Sequence, residues 1–333
     1  MIVTRTPLRI SFVGGGSDLA AFYSESEGAV LSAAINKYIH VATCAPFESK
    51  WISLKHSMIE AVDDCCDLQH PIVREVLKYL DFRERIDINV MSDMPHGTGL
   101  GSSSALTVSM LQNIFARLGS RSDTHQLAEL ASMIEIEKLK EPIGKQDQYA
   151  ASIGGINVLR FHSNHKVSAE PLEISDGMRR KMLNHLLLVY TGINRKASTI
   201  LAEQKKNMEQ LNKRKVLEEM VALVPPLADA LSKGDMESFG AILHQNWCLK
   251  QTLAKSVSNE EIDGYYSIAR KNGALGGKLL GAGGGGFLLF VADPESHRRI
   301  LDALPNLKHV DFDFDFQGTQ IVYSKVEQRS LAS

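Results

Sequence analysis

The stretch that decides the fold is PHGTGLGSSSA, residues 95–105. Three glycines alternate with other residues, three serines follow, and the composition then becomes helical through SSSALTVSMLQNIFARLG (102–119). Before it, IDINV (86–90) alternates apolar and polar side chains, as a half-buried strand does. A helix start offers N–H groups without intrahelical partners, and glycines let an anion approach the backbone. The sequence predicts a strand, an anion-binding loop and a helix that ends at Gly119.

Two well-known phosphate loops do not match this spacing. The Walker A motif requires a lysine after its last glycine, whereas serine follows Gly101. The dinucleotide fingerprint requires the spacing G-x-G-x-x-G, whereas this loop has G-x-G-x-G. Taken alone, the loop is equally consistent with a tight turn that holds no ligand.

Two further glycine clusters strengthen the case for a ligand. They are LRISFVGGGSDL (8–19) and KLLGAGGGGFLLF (278–290), and each adjoins a strand-like run. Glycine weakens the packing of a strand unless the backbone must bend or come close to another group. Three such clusters in one chain predict that backbone segments converge on a bound ligand.

Composition excludes several classes of function. The 333 residues suggest about two domains, and the net charge of -2 gives no reason to expect a nucleic-acid or anionic-membrane partner. None of the four cysteines forms a C-x-x-C pair, which favours free thiols in a reducing cytoplasm over disulfides or a zinc site. The first residues lack a signal-peptide layout, and no apolar run is long enough to cross a bilayer. We therefore expect a cytoplasmic protein.

The rest of the chain mixes strands with helices, which is typical of α/β and α+β proteins. Further predicted strands are RISFV (9–13), KYIHVAT (37–43), INVLRF (156–161), LLLVYTG (186–192), FLLFVAD (287–293) and VDFDFDF (310–316). We expect INVLRF and LLLVYTG to form a pair of strands. Predicted helices cover 124–140, 197–222, 235–253, 260–271 and the segment after Pro294, with Pro225–Pro226 ending the second. We place a domain boundary near residue 180, between domains 1–180 and 181–333.

Taken together, three motifs resemble the GHMP small-molecule kinases, which include galactokinase, homoserine kinase, mevalonate kinase and phosphomevalonate kinase. The motifs are TPLRISFVGGGSDL (6–19), PHGTGLGSSSA with GKQDQYAA (144–151), and KLLGAGGGGF (278–287). The resemblance implies a two-domain α/β (α+β) fold. Its N-terminal domain would be like domain 2 of ribosomal protein S5, and its C-terminal domain would be ferredoxin-like. It also implies ATP and Mg²⁺ as cofactors.

Within the family, GGGSDL, GKQDQYAA and YTGINRKAS (190–198) are most similar to the bacterial D-glycero-D-manno-heptose 7-phosphate kinases, which act on the anomeric C1 hydroxyl. The pattern GGGSD departs from the galactokinase arrangement, which has Glu-His before Thr-Asp, and this opens room beside the sugar. For a substrate that already carries a phosphate, YTGINRKAS supplies Arg195 and Lys196, and Lys145 adjoins the second motif; we favour Arg195.

The resemblance also implies the site residues. The catalytic residues would be Asp147, accepting the proton of the sugar hydroxyl, and Arg9, keeping Asp147 ionised and stabilising the transferred phosphoryl group. The metal ligands would be Ser103 and Glu135, with Glu137 as the alternative carboxylate. The implied nucleotide-binding residues are Pro95, Gly97, Thr98, Gly99, Leu100, Gly101, Ser102, Ser103 and Ser104. The implied substrate-binding residues are Gly15, Gly16, Ser17, Asp18, Thr191, Arg195, Gly283 and Gly284.

Alternatives remain for these residues. By their surroundings alone, Asp147 is equally readable as the cap of a helix and Arg9 as a surface residue at a strand start.

The nearest rival function is a kinase for an unphosphorylated sugar such as fucose or galactose. A ligand sensor on the same fold is a rival of another class. The sequence leaves the oligomeric state open.

Overall fold

A computed structural model describes residues 1–47, 50–193, 200, 202–203 and 211–325 of the chain. The strands are β1 (Ile2–Val13), β2 (Gly28–Cys44), β3 (Ile52–Lys55), β4 (Ile59–Val62), β5 (Asp87–Ser92), β6 (Ile156–Phe161), β7 (Val167–Pro171), β8 (Leu186–Tyr190), β9 (Ala274–Leu279), β10 (Phe287–Ala292), β11 (Lys308–His309) and β12 (Gln320–Ser324). The helices are Ala20–Tyr23, Pro71–Tyr79, Ser102–Arg117, Thr124–Met133, Gln146–Ile153, Asp176–His185, Leu211–Ala222, Val224–Lys233, Met236–Gln251, Glu260–Lys271 and Pro294–Ala303.

The larger sheet is built around the long strands β1 and β2. Its order is β12-β1-β2-β5-β3-β4, while β6 and β7 extend it from the other half of β2. Residues 39–44 of β2 pair with β5, and residues 28–33 pair with β6. Leu8, Ile10 and Phe12 of β1 alternate along the strand and are fully buried, so one face of this sheet forms the main core.

A second, smaller sheet has the antiparallel order β11-β8-β10-β9. The helix Met236–Gln251 packs on β9 and reaches β1. From this helix, the ring of Phe239 meets that of Phe12 edge to face, with 5.4 Å between centroids. Trp247, Tyr266 and Phe290 lie in a separate apolar cluster that belongs to the smaller sheet. The helix therefore connects the two sheets, and the cleft described below lies beside it.

Most predicted elements are present, including the strand, loop and helix around residues 95–105. The predicted strand at 310–316 is wrong: the structure has the two-residue β11, and then one isolated bridge between Phe314 and Ile35. The physical reason is that aspartate side chains bond the local backbone and compete with a strand ladder. Asp315 is buried and accepts from the N–H groups of Gln317 and Gly318, while Phe316 is exposed.

Three other predictions need adjustment. INVLRF and LLLVYTG are strands, but they lie in different sheets and do not pair with each other. The predicted helix 124–140 is α-helical over Thr124–Met133 and continues as a π-helical turn over Ile134–Lys138. Of the predicted helix 197–222, the structure describes the helix Leu211–Ala222, and most of the remainder lies outside the described residues.

The four cysteines are free thiols, as predicted. β12 returns from the end of the chain to pair with β1 of the larger sheet. Residues beyond the predicted domain boundary therefore contribute to both sheets. The boundary near residue 180 stays a prediction.

Candidate active site

A cavity of about 300 Å³ lies beside the glycine-rich loop, and its walls come from both halves of the chain. It is lined by Arg9, Ser11, Gly15, Gly16, Asp18, Gly97, Gly99, Gly101, Ser102, Ser103, Ser104, Glu135, Gly144, Gln146, Asp147, Lys250, Lys278 and Gly281, among others. All three glycine clusters contribute to this wall. The predicted convergence of backbone segments is thus present around one cavity.

The glycine-rich loop presents bare backbone to the cavity. Gly97, Gly99 and Gly101 have φ of 73°, 84° and 77°, a region that favours glycine. Gly101 is the N-cap of the helix Ser102–Arg117, and no side chain caps that helix. The first N–H groups of a helix have no intrahelical partner, so the amides of Ser102 to Ser104 are available to an anion.

The loop is braced by the third glycine cluster. A Cβ on Gly99 would lie 2.6 Å from the carbonyl oxygen of Leu280, and one on Gly281 would lie 2.4 Å from Cα of Gly99. Backbone thus packs directly on backbone, and any side chain at either position would separate the two loops. The hydroxyl of Thr191 donates to the carbonyl of Gly286 at 2.9 Å and holds the second loop in place.

Arg9 and Asp147 form a bidentate ion pair. Nε of Arg9 donates to Oδ1 of Asp147 at 2.8 Å, and Nη2 donates to Oδ2 at 2.7 Å. Nη1 of the same guanidinium donates to the carbonyl of Gly99 at 2.6 Å. The Arg9 side chain is 4% exposed, whereas that of Asp147 is 23% exposed. Arg9 therefore fixes the carboxylate against the glycine loop and leaves it open to the cavity.

Asp18 is the second carboxylate of the cavity and is 3% exposed. It accepts from N–H of Gly16 at 2.9 Å and from the backbone and side-chain nitrogens of Gln146, each at 3.3 Å. A Cβ on Gly144 would lie 1.9 Å from its Oδ2, so only glycine lets that segment close over the carboxylate. Burial, followed by the neighbouring charge of Asp147, raises the pKa of Asp18.

Glu135 and Glu137 are distinguished by their surroundings. Glu135 is 1% exposed and lines the cavity, whereas Glu137 is exposed and does not. The side chain of Gln148 donates to Glu135 at 2.6 Å. Burial raises the pKa of Glu135 to about 7, although hydrogen bonds from Gln148, Ser104 and Ser103 act in the opposite direction. A buried carboxylate beside serine hydroxyls fits a hard cation such as Mg²⁺, which prefers oxygen ligands.

Several predicted nucleotide-binding residues shape the loop without lining the cavity. Pro95 is exposed, and its carbonyl accepts from the hydroxyl of Thr98 at 2.8 Å. Leu100 is a core side chain, and its carbonyl accepts from N–H of Arg9 at 3.0 Å. The first contact closes a turn within the loop and the second holds the loop against β1, so the three residues shape and position it.

Predicted substrate-binding residues divide in the same way. Gly15, Gly16 and Asp18 line the cavity. Ser17 is fully buried and donates to the carbonyl of Gly14, and Thr191 binds the glycine loop as described above. Gly283 and Gly284 face Val257 away from the cavity: a Cβ on Gly283 would lie 2.7 Å from Val257, and N–H of Gly284 donates to its carbonyl at 2.9 Å. Arg195 and Lys196 lie outside the described residues.

Sequence reasoning missed five polar side chains of the cavity, those of Ser11, Glu141, Gln146, Lys250 and Lys278. Gln146 orients Asp18, and its own Oε1 is buried without a hydrogen-bond partner among the described residues, which leaves an acceptor for a hydroxyl. Lys250 and Lys278 are both buried. Gln146 lies in GKQDQYAA and Lys278 is the first residue of KLLGAGGGGF, whereas no local pattern marks Lys250 in the helix Met236–Gln251.

Comparisons with known proteins agree with this architecture. Residues 70–155 match the family model of the GHMP kinases N terminal domain, and residues 227–309 match that of the GHMP kinases C terminal. A D-glycero-alpha-D-manno-heptose 7-phosphate kinase from Campylobacter jejuni is 32% identical over 95% of this chain and 96% of its own length. An L-fucokinase/L-fucose-1-P guanylyltransferase from Bacteroides fragilis is 27% identical over 95% of this chain but only 38% of its own length.

Solved structures share the whole fold. A crystal structure of a D-glycero-D-manno-heptose 1-phosphate kinase from Bacteriodes thetaiotaomicron superposes with a TM-score of 0.81 at 25% identity, covering 97% of this chain and all of its own. A galactokinase from Lactococcus lactis has a TM-score of 0.75 over 96% of this chain and 95% of its own, at 17% identity. None of the helices in the described ranges is long and apolar enough to cross a membrane.

Proposed function

The chain belongs to the GHMP kinase family, and we propose that this ATP-dependent kinase phosphorylates the anomeric C1 hydroxyl of D-glycero-D-manno-heptose 7-phosphate. The products are ADP and the 1,7-bisphosphate. The observation that carries the proposal is the Arg9–Asp147 pair held against the anion-binding loop. The sugar is proposed from the 32% identity to the Campylobacter enzyme over nearly the whole chain.

Asp147 acts as the base in this proposal. The C1 oxygen attacks the γ-phosphorus of ATP in line, the bond to the β-phosphate oxygen breaks, and its electrons leave with ADP. The proton of the C1 hydroxyl passes to Asp147, whose two oxygens keep free lone pairs beside the bonds from Arg9. Transfer is direct, without a covalent enzyme intermediate.

The remaining residues bind and orient the reactants. The amides of Ser102 to Ser104 cradle the phosphates of ATP, and Asp18 accepts hydrogen bonds from sugar hydroxyls. Ser103 and Glu135 would hold Mg²⁺, which neutralises phosphate charge when bound. We propose a cytoplasmic location, where ATP and free thiols are both found.

A kinase for an unphosphorylated sugar is the second candidate. The Bacteroides fragilis relative carries a fucokinase name, and the GGGSD pattern leaves room beside the sugar. Both candidates use the same base and the same nucleotide loop. They differ in whether the cavity must hold a second phosphate.

A substrate panel tests the proposal. ADP release is measured with ATP·Mg²⁺ and, in turn, D-glycero-D-manno-heptose 7-phosphate, the heptose 1-phosphate, the unphosphorylated heptose, L-fucose and D-galactose. We expect kcat/KM to be at least tenfold higher for the 7-phosphate than for every other sugar. Turnover of fucose or galactose as fast as that of the 7-phosphate would overturn the choice of substrate and leave the kinase assignment intact.

A further inference from the structure

Two lysines outside the glycine loop line the same cavity. Lys278 of β9 is 1% exposed, and Lys250, near the end of the helix Met236–Gln251, is 5% exposed. Nζ of Lys278 donates to the carbonyl of Ser11 at 2.7 Å. Nζ of Lys250 donates to the carbonyl of Leu279 at 3.4 Å and to that of Gly281. Since an ammonium has three N–H donors, these carbonyls anchor both nitrogens and leave donors unused.

The two ammonium groups lack a carboxylate partner at ion-pair distance among the described residues. The charged groups that face them are Arg9 with its partner Asp147, and Asp18, and the lysines also repel each other. Burial and then Arg9 lower the pKa of Lys250 to about 7, and burial, Lys250 and Arg9 lower that of Lys278 far below its usual value. Burying an ammonium group without a carboxylate partner costs stability, and a bound anion would offset this cost for both lysines.

Arg9 is largely committed to holding Asp147. Three of its five N–H groups already donate, two to the carboxylate and one to the carbonyl of Gly99, and its charge is shared with Asp147. Among the described residues that line the cavity, the only other basic side chains are Lys250 and Lys278. Lys250 is anchored on the loop that packs on Gly99, so the pair lies next to the nucleotide loop.

We propose that Lys250 and Lys278 form a phosphate subsite, in which their free N–H groups donate to non-bridging oxygens of a phosphate group in the cavity. That phosphate is either the phosphoryl group in transit from ATP or the phosphate that the sugar brings. The inference rests on the proposed kinase activity and deepens it: Arg9 positions the base, and the two lysines stabilise phosphate charge. Because a nearby anion favours the charged form of an amine, phosphate binding also raises the pKa of Lys250 and Lys278 and promotes their protonation.

Methionine variants test the subsite, because methionine keeps the length and apolar stem of lysine and removes the amine. Lys278→Met and Lys250→Met are compared with Lys271→Met, a matched control at an exposed position. Calorimetry gives the Kd of ADP·Mg²⁺, of a non-hydrolysable ATP analogue with Mg²⁺, and of the sugar with and without its phosphate. The sugar is the one that the wild-type enzyme turns over fastest, so a wrong choice of substrate does not affect the test.

Each source of phosphate has its own signature. If the subsite binds the phosphoryl group in transit, we expect the methionine variants to lose at least 100-fold in kcat and to bind the ATP analogue at least tenfold more weakly. Their Kd for ADP should stay within twofold of wild type. If the subsite binds the phosphate of the sugar, the variants should bind the phosphorylated sugar no more tightly than the unphosphorylated one, and both nucleotides should bind as they do to wild type. If kcat and every Kd stay within twofold of wild type in both variants, the subsite is excluded.

A measurement on the unmodified enzyme guards against variants that fail to fold. At pH 8, binding of the phosphate-bearing ligand is measured in two buffers that differ in ionisation enthalpy. We expect net uptake of protons, because burial lowers the pKa of both amines and the bound anion favours their charged form. ADP or an unphosphorylated sugar, which does not occupy the subsite, takes up none. Equal proton balance for all ligands would contradict the proposal.

Discussion

At the scale of single residues, the proposed chemistry depends on how one arginine holds one carboxylate. Both oxygens of Asp147 are bonded by Arg9, which also holds the carbonyl of Gly99. This geometry couples the base to the nucleotide loop, since the same guanidinium contacts both. A lysine in place of Arg9 could not make all three bonds, because its ammonium is a point charge without the planar fork.

Asp147→Asn tests the base. The amide keeps the shape of the side chain but cannot accept the sugar proton, so we expect kcat to fall by about 10²–10⁴-fold with Tm and ADP binding retained. A coupled ADP-release assay and a thermal melt measure both quantities. Asp229→Asn, at an exposed helix position, is the control and should behave as wild type. Unchanged kcat in the Asp147 variant would remove this residue from the mechanism and revive the sensor alternative.

A pair of glutamine variants tests the metal ligand. Glu135 is buried in the cavity wall and Glu137 is exposed two positions later, so they form a matched pair. We expect Glu135→Gln to raise the Mg²⁺ concentration for half-maximal activity at least tenfold, because the amide removes the ligand charge, and Glu137→Gln to leave it unchanged. A titration of activity with Mg²⁺ at saturating ATP measures this. A larger increase of this Mg²⁺ concentration in Glu137→Gln than in Glu135→Gln would assign the metal to Glu137.

At the scale of elements, the site depends on two glycine loops that touch through their backbones. The loop at 97–101 contacts the loop at 281–286, and the second comes from the hairpin between β9 and β10. The helix start and the hairpin are far apart in sequence, so neither loop reveals this contact by itself. Because Arg9 bonds both the carbonyl of Gly99 and Asp147, the contact lies next to the proposed base.

Gly99→Ala tests this contact, with Gly119→Ala as its control. Both residues have positive φ, but a Cβ on Gly99 meets Leu280 at 2.6 Å, whereas a Cβ on Gly119 meets nothing within 4 Å. Backbone strain alone costs about 1–3 kcal/mol in each variant. We expect the Gly99 variant to lose more unfolding free energy in urea and to bind ADP at least tenfold more weakly. Equal losses with normal ADP binding would show that the loop contact is unimportant.

At the scale of the whole molecule, stability should depend on pH through the buried lysines. The pKa of Lys250 is about 7 in the folded protein against 10.5 for an ordinary lysine. Between these values the unfolded chain binds a proton that the folded chain does not, so rising pH stabilises the fold. Below pH 7 both states are charged, and the full cost of burying the ammonium remains.

Lys250→Met removes this dependence. We expect the variant to be more stable than wild type at pH 7, by about 1–4 kcal/mol, because apolar replacement of a buried charge is often stabilising. The difference should shrink towards pH 10, as the wild-type lysine becomes neutral in both states. Urea unfolding across this range measures it, and Lys271→Met should follow wild type throughout. If the free energy of unfolding changes with pH in the same way for Lys250→Met and wild type, Lys250 stays charged in the folded protein over this range.

The sequence by itself determined the local features of this protein. The strand, glycine loop and helix around residues 95–105 follow from alternation, from glycine's freedom at positive φ and from the helix start, all short-range effects. The three motifs in order were enough to indicate the GHMP kinase family and its two-domain fold, and the comparisons confirm both. Side-chain alternation failed at 310–316, where Asp313 and Asp315 accept from nearby backbone N–H groups and pairing with β2 is limited to a bridge at Phe314.

Only the tertiary structure decided which groups share the cavity. Burial separates Glu135 from Glu137, and the closeness of Gly144 to Asp18 fixes how the second motif closes over that carboxylate. Lys250 and Lys278 reach the cavity from a helix and a strand of the second half, and nothing near them in sequence predicts that they meet. The physical reason is that desolvation and charge pairing depend on neighbours in space, which folding brings together from distant parts of the chain.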